Sequence, residues 1–445
     1  MEKLGADVLA RRATFRRIFM KKILPLNHGL RGDIEIPGDK SISHRAIILS
    51  SLGDTPVEVS NFLAGEDCLS TVACMRALGA QIQQHGEKFL ITGHGLNGLH
   101  EPENVLDAGN SGTTLRLLMG LLAPQKFLTT FTGDDSLRRR PMARVIKPLS
   151  QMGATIVGRN ENKNLPITIL PAKDNLRGIT YEMPVASAQV KSALLLAGLY
   201  AEGATTLIEP APSRDHTEKM FEAFGIRLEK SGNAIKIFPT EKLIAPEKIS
   251  VPGDISSAAY WLVLATILDN SDVTIINVGV NDTRTGILDV LKNMGAKIEI
   301  LNERISGGER IADLKVISSK LRGIEFGGEI IPRLIDEIPA LAVAAAFAEG
   351  TTIIRDVKEL RVKETDRLAA IVEEFNKISP DTFQATDDSL IISGGREKFF
   401  AKCRSRADHR MAMSLGIFGA AAKGVTLDDT DCVKISYPNF FETII

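Results

Sequence analysis

The segment Pro37-Gly-Asp-Lys-Ser-Ile-Ser-His-Arg45 places two cations and two hydroxyls where a turn runs into a helix. Pro-Gly is turn chemistry. The alternation Asp33, Ile34, Glu35, Ile36 before it predicts a strand, and an apolar run, Ala46–Leu49, follows. Ser41 and Ser43 are the expected helix caps. A helix start offers unpaired backbone N–H groups and a positive dipole end to an anion, and Lys40 and Arg45 add two full charges. Taken alone, the stretch is equally explained by an ordinary capped helix with two solvated cations. A second copy, Ile249-Ser-Val-Pro-Gly-Asp-Ile-Ser-Ser257, repeats the strand, the turn and a Ser-capped helix without the Lys and Arg. One scaffold used twice, charged once, predicts a single specialised site.

Further helix starts carry similar chemistry. Asp107-Ala-Gly-Asn-Ser-Gly-Thr-Thr-Leu-Arg116 is a Gly-rich turn with an Arg one turn inside, and small residues there let a ligand reach backbone N–H groups. Asp135-Ser-Leu-Arg-Arg-Arg-Pro141 offers arginines, the preferred partners of carboxylate and phosphate. Ser187-Ala-Gln-Val-Lys191 and Asp408-His-Arg-Met-Ala-Met413 open two more helices, and Ser213-Arg-Asp-His-Thr-Glu218 has a capping-type pattern. Asp336-Glu337 precede an apolar helix, and Arg361-Val-Lys-Glu-Thr-Asp-Arg367 is dense in charge. Each has a plain reading as a cap or a solvated face. Together they put basic and hydroxylic helix starts at one pole, which calls for a small ligand with several negative charges. No P-loop pattern is present, which argues against nucleotide hydrolysis.

The elements that position these groups repeat. Leu78-Gly-Ala, Met152-Gly-Ala, Phe224-Gly-Ile and Met294-Gly-Ala each end a helix and enter a strand, with glycines at 79, 153, 225 and 295. Gly fits the left-handed position that closes a helix, and Asn376 is the expected substitute in a fifth copy. Each unit reads as β-α-β-α-β-β, with a first helix apolar on nearly every face and therefore buried. A partial sixth unit, Ala407–Asp431, lacks its ending, which strands near Lys21–Ile36 could supply. This predicts an α/β (α+β) chain of two lobes with three units each. Residues 39–252 form one lobe, 20–38 plus 253–445 the other, hinged at the two Pro-Gly-Asp crossings. The ligand cleft lies between them.

A chain of 445 residues is too long for one core, and 44% hydrophobic with 24% charged residues is globular composition. Lys plus Arg, 54, balances Asp plus Glu, 55, so neither nucleic acid nor an anionic membrane is an expected partner. The apolar run Ile338–Ala348 is well short of the ~18 residues of a membrane span. Cys68, Cys74, Cys403 and Cys432 show no C-x-x-C spacing, so reduced cytoplasmic thiols and no metal site are expected. An Arg-rich start can be a transit peptide. The simpler reading of residues 1–19 is a dispensable, disordered extension ahead of Met20.

The motifs PGDKSISHR, DAGNSGTTLR, TGDDSLRRRP, ASAQVKSA, SRDHTEK, LRVKETDR and DHRMAM, in this order, resemble 3-phosphoshikimate 1-carboxyvinyltransferases, or EPSP synthases, over Lys21–Phe441. The resemblance implies an inside-out α/β barrel in each lobe. It also implies transfer of the enolpyruvyl group of phosphoenolpyruvate to the 5-hydroxyl of shikimate 3-phosphate, with no metal or cofactor, in a cytoplasmic monomer. By motif position, shikimate 3-phosphate would meet Lys40, Ser41, Arg45, Ser187, Gln189, Arg214, Asp336 and Lys363. Phosphoenolpyruvate would meet Lys40, Asn110, Gly112, Arg140, Gln189, Arg367 and Arg410. Asp336 would be the base at the hydroxyl, and Glu364 with Lys40 the proton donor.

The chain departs from the family pattern in places. Leu117 stands where Pro is frequent, Ala188 replaces a common serine with Arg214 to compensate, and Lys434 is one place early for a substrate contact. Glyphosate, the family's inhibitor, occupies the phosphoenolpyruvate position and is slightly longer; some resistant bacterial members carry Ala where Gly112 stands here. SLRRRPM and SRDHTEK resemble that resistant branch, whereas the missing Cβ of Gly112 predicts competitive inhibition. The sister transferase acting on UDP-N-acetylglucosamine places a reactive Cys where Thr130–Ser136 has none. A non-catalytic anion-binding protein on the same repeat would have no use for Asp336 and Glu364.

Overall fold

The computed structural model describes residues 20–444; the extension expected over residues 1–19 lies outside them. Among the described residues the strands form six small sheets, five of them four-stranded. In all five, the strand after a buried helix pairs in parallel with an edge strand and antiparallel with the second strand of a hairpin; in three of them the edge strand is the one just ahead of that same helix. Thr180–Glu182, Thr205–Ile208, Ala234–Ile237 and Leu228–Ser231 lie in this order, with Thr180 opposite Thr206 and Thr205 opposite Ile237.

Helices Lys40–Ser50, Gly112–Leu122, Ala188–Gly198, Ile255–Ile267, Ile338–Phe347 and His409–Ala421 are buried on nearly every face. Beyond their first turns these helices are largely apolar, so little polar surface is left to turn to water and the sheets and outer helices enclose them. Buried apolar residues fall into two cores. One runs from Ile42 to Val251; the other joins Ile23 and Ile36 to residues from Ile255 to Ile444. The result is a two-lobed α/β molecule, and the chain passes between cores at Pro37–Lys40 and at Pro252–Asp254.

The strands near the N-terminus do not stay together as expected. Lys21–Ile23 closes the last sheet against Val425–Leu427, while Arg31–Ile34 pairs with Asp272–Ile275 in another. Each fills an edge that would otherwise leave unpaired backbone groups. Lys248–Ser250 likewise pairs with Val57–Ser60, so the strand just before each crossing completes the first sheet after the other crossing.

Gly79, Gly153, Gly225 and Gly295 all adopt positive φ at the ends of their helices. Asn376 does not: it stays right-handed at φ −64°. Its side chain instead accepts from the Thr382 and Phe383 N–H groups and donates to the Phe383 carbonyl, so the chain turns on side-chain bonds rather than on a left-handed residue. The helix caps also differ from expectation. Asp39, not Ser41 or Ser43, accepts from Ile42 N, and Asp254 accepts from Ser256 N. The serines fall inside the first turn, where helical φ/ψ excludes capping geometry, and the extended aspartate before them takes the role.

Helices Gly112–Leu122 and Ala188–Gly198 approach so closely that a Cβ on Gly120 would lie 2.0 Å from the Ala193 carbonyl oxygen. Gly120→Ala must push two buried helices apart. It is expected to cost about 3 kcal/mol or more, read as a clear fall in melting temperature by calorimetry.

Candidate active site

Asp39 and its neighbours show how the fold delivers charge to one place. Lys40 and Ser41 open one buried helix, Gly112 and Thr113 a second, and Ser187 caps a third. From the other half come Asp336 ahead of Ile338–Phe347, Lys363 and Glu364 ahead of Arg367–Phe375, and Arg410 in the first turn of His409–Ala421. These residues, with Arg140, Gln189 and Arg214, line one cleft of about 680 Å³.

Asp336 is the centre of its charge. Its Oδ2 lies 2.6 Å from Arg214 Nη2 and 3.8 Å from Arg410 Nη2; its Oδ1 lies 3.3 Å from Arg367 Nη1 and 3.5 Å from Lys363 Nζ. Burial alone would raise this carboxyl, but Lys363, Arg410, Arg214 and Arg367 outweigh it and hold it well below the usual range. Glu364 is in the same position. Burial would raise it, yet Arg367, 2.6 Å from Oε2, and Arg140, 3.9 Å from Oε1, keep it ionised. The Lys40 ammonium pairs with Asp67.

Several of these pairs span the two halves: Arg214 with Asp336, Arg140 with Glu364, and Arg144 with Glu359 at 3.1 Å. The cleft is therefore not two cationic walls held apart by repulsion. Acids of one half meet arginines of the other.

Three expected contacts stand behind the lining. Arg45 is buried and donates to Thr217, Ser192 and the Ser41 carbonyl. Asn110 accepts from Arg140 at 2.8 Å and donates to Asp134. Arg367 is fixed from beneath by Asp408 at 2.8 Å. Arg140 follows the short helix Asp135–Arg139 rather than opening one.

Gly112 does not face open space. A Cβ there would meet the Arg116 and Arg140 guanidinium groups at 3.0 and 3.4 Å. Leu117 is buried in a regular helix. Lys434 lies 2.9 Å from Asp431 and does not line the cleft.

The sequence motifs contained two lining residues that the site list above lacks. Arg116 donates to the Gln189 side-chain oxygen, and burial together with Arg144 and Arg140 pushes it down to about 9. His409 is buried at the wall with neither ring nitrogen hydrogen-bonded, and burial with Lys40 and Arg410 nearby keeps it neutral. Both lay inside the quoted motifs, Arg116 one turn into the helix that opens at Gly112 and His409 directly before Arg410. Arg144 and Glu359 had no sequence signal, because their partners lie more than two hundred residues away. No cysteine lines the cleft. Among the described residues no group of His, Cys, Asp and Glu could hold a metal ion.

The arrangement can bind a multiply charged anion and hold two ionised carboxylates beside it. A carboxyl depressed on folding contributes stability that is present above its unfolded value, about pH 4, and lost as pH falls toward the folded one. Asp336→Asn should therefore lower the melting temperature most at neutral pH, with wild type converging on the variant below about pH 4. A constant offset across an acid titration would assign the effect to packing instead of charge.

Comparison with known proteins places these features in context. The family model for EPSP synthase (3-phosphoshikimate 1-carboxyvinyltransferase) matches residues 26–444. The 3-phosphoshikimate 1-carboxyvinyltransferase of Desulforamulus reducens is 53% identical over 417 residues, covering 93% of this chain and 96% of that protein. The one from Geobacter sulfurreducens is 52% identical over 92% of this chain and 95% of its own length. The EPSP synthase structure from Acinetobacter baumannii superposes with a TM-score of 0.84 at 43% identity, over 95% and 96% of the two chains. An enolpyruvyl transferase from Streptomyces tendae shares the fold at 19% identity, with a TM-score of 0.76 over 96% of each chain.

Proposed function

This chain belongs to the EPSP synthase family, and on that premise we propose which residues carry which part of its reaction. The reaction transfers the enolpyruvyl group of phosphoenolpyruvate to the 5-hydroxyl of shikimate 3-phosphate and releases phosphate, in aromatic amino acid biosynthesis. The observation that carries the assignment is a cleft in which cations from both halves surround two ionised carboxylates, Asp336 and Glu364.

Shikimate 3-phosphate is held by Lys40, Ser41, Ser187, Gln189, Arg214 and Lys363, with Arg45 backing Ser41. Phosphoenolpyruvate is held by Lys40, Gly112, Gln189, Arg140 and Arg410, with Asn110 and Arg367 behind them. Asp336, already ionised, takes the proton of the 5-hydroxyl. Glu364 is held ionised by Arg367 and Arg140 beside it. Phosphate and carboxylate groups arriving on those arginines cancel their charge, which raises the proton affinity of Glu364. Glu364, protonated from solvent in the loaded site, gives that proton to the vinyl carbon as the 5-oxygen bonds the adjacent enol carbon, with Lys40 sharing the role; a methyl proton then returns to Glu364 and phosphate leaves, which restores the double bond. Crowding two phosphates and two carboxylates into a desolvated cleft needs this many cations. The lobes, 39–252 and 20–38 with 253–445, close on the substrates about the two crossings. Four free, buried cysteines suit a cytoplasmic protein.

Phosphate release with phosphoenolpyruvate plus shikimate 3-phosphate, against UDP-N-acetylglucosamine as control, tests the substrate. Release with the UDP-sugar alone would overturn it. In the same assay Asp336→Asn should lower kcat by roughly 10²–10⁴ with KM largely kept; a change confined to KM would make Asp336 a binding residue only.

Gly112→Ala presses a methyl group on the Arg116 and Arg140 guanidiniums. Wild type should be inhibited by glyphosate competitively with phosphoenolpyruvate. The substitution should raise the inhibition constant about tenfold or more beyond any rise in KM, because overlap of one methyl group costs ~1–3 kcal/mol. Parallel changes in the two constants would place the discrimination elsewhere.

A further inference from the structure

One hairpin reaches across to the other half. Strands Lys297–Ser306 and Glu309–Ile317 run ten and nine residues, against three to six in the other four hairpins. At its turn, Glu309 Oε1 lies 2.8 Å from His216 Nδ1 and Oε2 lies 3.5 Å from Lys219 Nζ. Asn281 donates to the same carboxylate at 3.0 Å and to Asp215 at 2.7 Å. Asp215 sits at the N-cap of helix His216–Ala223, yet it caps nothing with its side chain. The capping-type pattern there serves the contact between halves instead.

The chain of contacts continues inward. His216 Nε2 faces Arg284 Nη1 at 3.3 Å, and Arg284 Nη1 donates to Asp39 Oδ2 at 3.0 Å. A guanidinium can only donate, so Nε2 is the acceptor. The ring proton is then on Nδ1 and is donated to Glu309, which fixes both the tautomer and the ring plane. Glu309, His216, Arg284 and Asp39 are exposed by 5%, 2%, 2% and 3%. Apolar contact would join two halves without the cost of burying charges, and without setting direction. The sequence gives this chain its neighbours: Arg214 is two residues before His216, and Lys40 directly follows Asp39.

We infer that Glu309, His216, Arg284 and Asp39 form a chain of positioning residues that sets where Arg214 and Lys40 stand against Asp336. The inference rests on the reading of Arg214 and Lys40 as substrate contacts. The Arg214–Asp336 contact at 2.6 Å joins opposite halves, so a small slip of one half on the other displaces it. A displacement of about 1 Å can cost 10²-fold in rate.

Glu309→Ala, Glu309→Gln, Arg214→Ala and the double variant Glu309→Ala with Arg214→Ala test this in the full-length enzyme. Glu309→Ala should raise KM for shikimate 3-phosphate and lower kcat, together by about tenfold to a hundredfold in kcat/KM, when assayed at a temperature where every variant is fully folded by circular dichroism. Glu309→Gln should recover most of the loss, because its amide oxygen still accepts from His216 Nδ1–H. Arg214→Ala should be more damaged, and adding Glu309→Ala to it should cost far less than in wild type. Effects that multiply independently, or activity that falls in step with melting temperature, would overturn the positioning chain alone. Unaltered kinetics in Arg214→Ala would overturn the site assignment and this inference with it.

Discussion

Arg284, 2% exposed, donates to Asp39 at 3.0 Å and to Asp254 at 3.2 Å, the two aspartates of the two crossings. Each aspartate caps a buried helix, and the helices belong to different cores. The crossings also hold each other through the backbone: Asp39 N donates to the Pro252 carbonyl and Asp254 N to that of Pro37. Two buried carboxylates this close repel, and one guanidinium makes them compatible. Burial opposes the charge on Asp39, but the Arg284 guanidinium, helped by the Ile42 N–H, prevails and brings it to about 2. Asp254 goes the other way, raised by burial and by the charge of Asp39. Because Lys40 begins immediately after this junction, everything the first lobe offers to the cleft is referenced to it.

The charges that line the cleft are paired with one another. Asp336 and Glu364 occupy cations that an anionic ligand would take, so ligand binding is an exchange of partners rather than a filling of an unpaired positive hole. This has two consequences. Desolvated cations are tolerated in the free protein because acids from the facing half neutralise them. The proton affinities of those acids then depend on whether ligand has displaced them. A formal net charge of −1 gives no hint of this, since the balance is local.

The same economy governs the helices. A helix apolar on all sides can be buried along its length, but its first turn still has unpaired N–H groups. Asp39, Ser111, Ser187, Asp254 and Asp408 each accept from one of them. What remains of each helix start faces the cleft. Burying helices and building an anion site are thus one arrangement, repeated with a different side-chain complement in each unit.

The sequence by itself determined what local chemistry and periodicity can determine. The helix-ending glycines at 79, 153, 225 and 295, the amphipathic helices they close, the apolar helix of each unit, and the charged starts at Lys40, Arg214, Asp336 and Arg410 are set by neighbours within a turn or two. Their types alone limited the ligand to a small polyanion. Partner choice across the chain was decided only in three dimensions. Lys21–Ile23 and Arg31–Ile34 go to different sheets because separate open edges claim them, and Asn376 keeps right-handed geometry because its side chain bonds the Thr382 and Phe383 backbone instead. Asp215 has the sequence of a cap and serves as a contact between halves. Arg284 shows the reason most plainly. Its meaning comes from Asp39, 245 positions away, and from Asp254, 30 away, and electrostatic pairing depends on distance through space, which no spacing along the chain encodes.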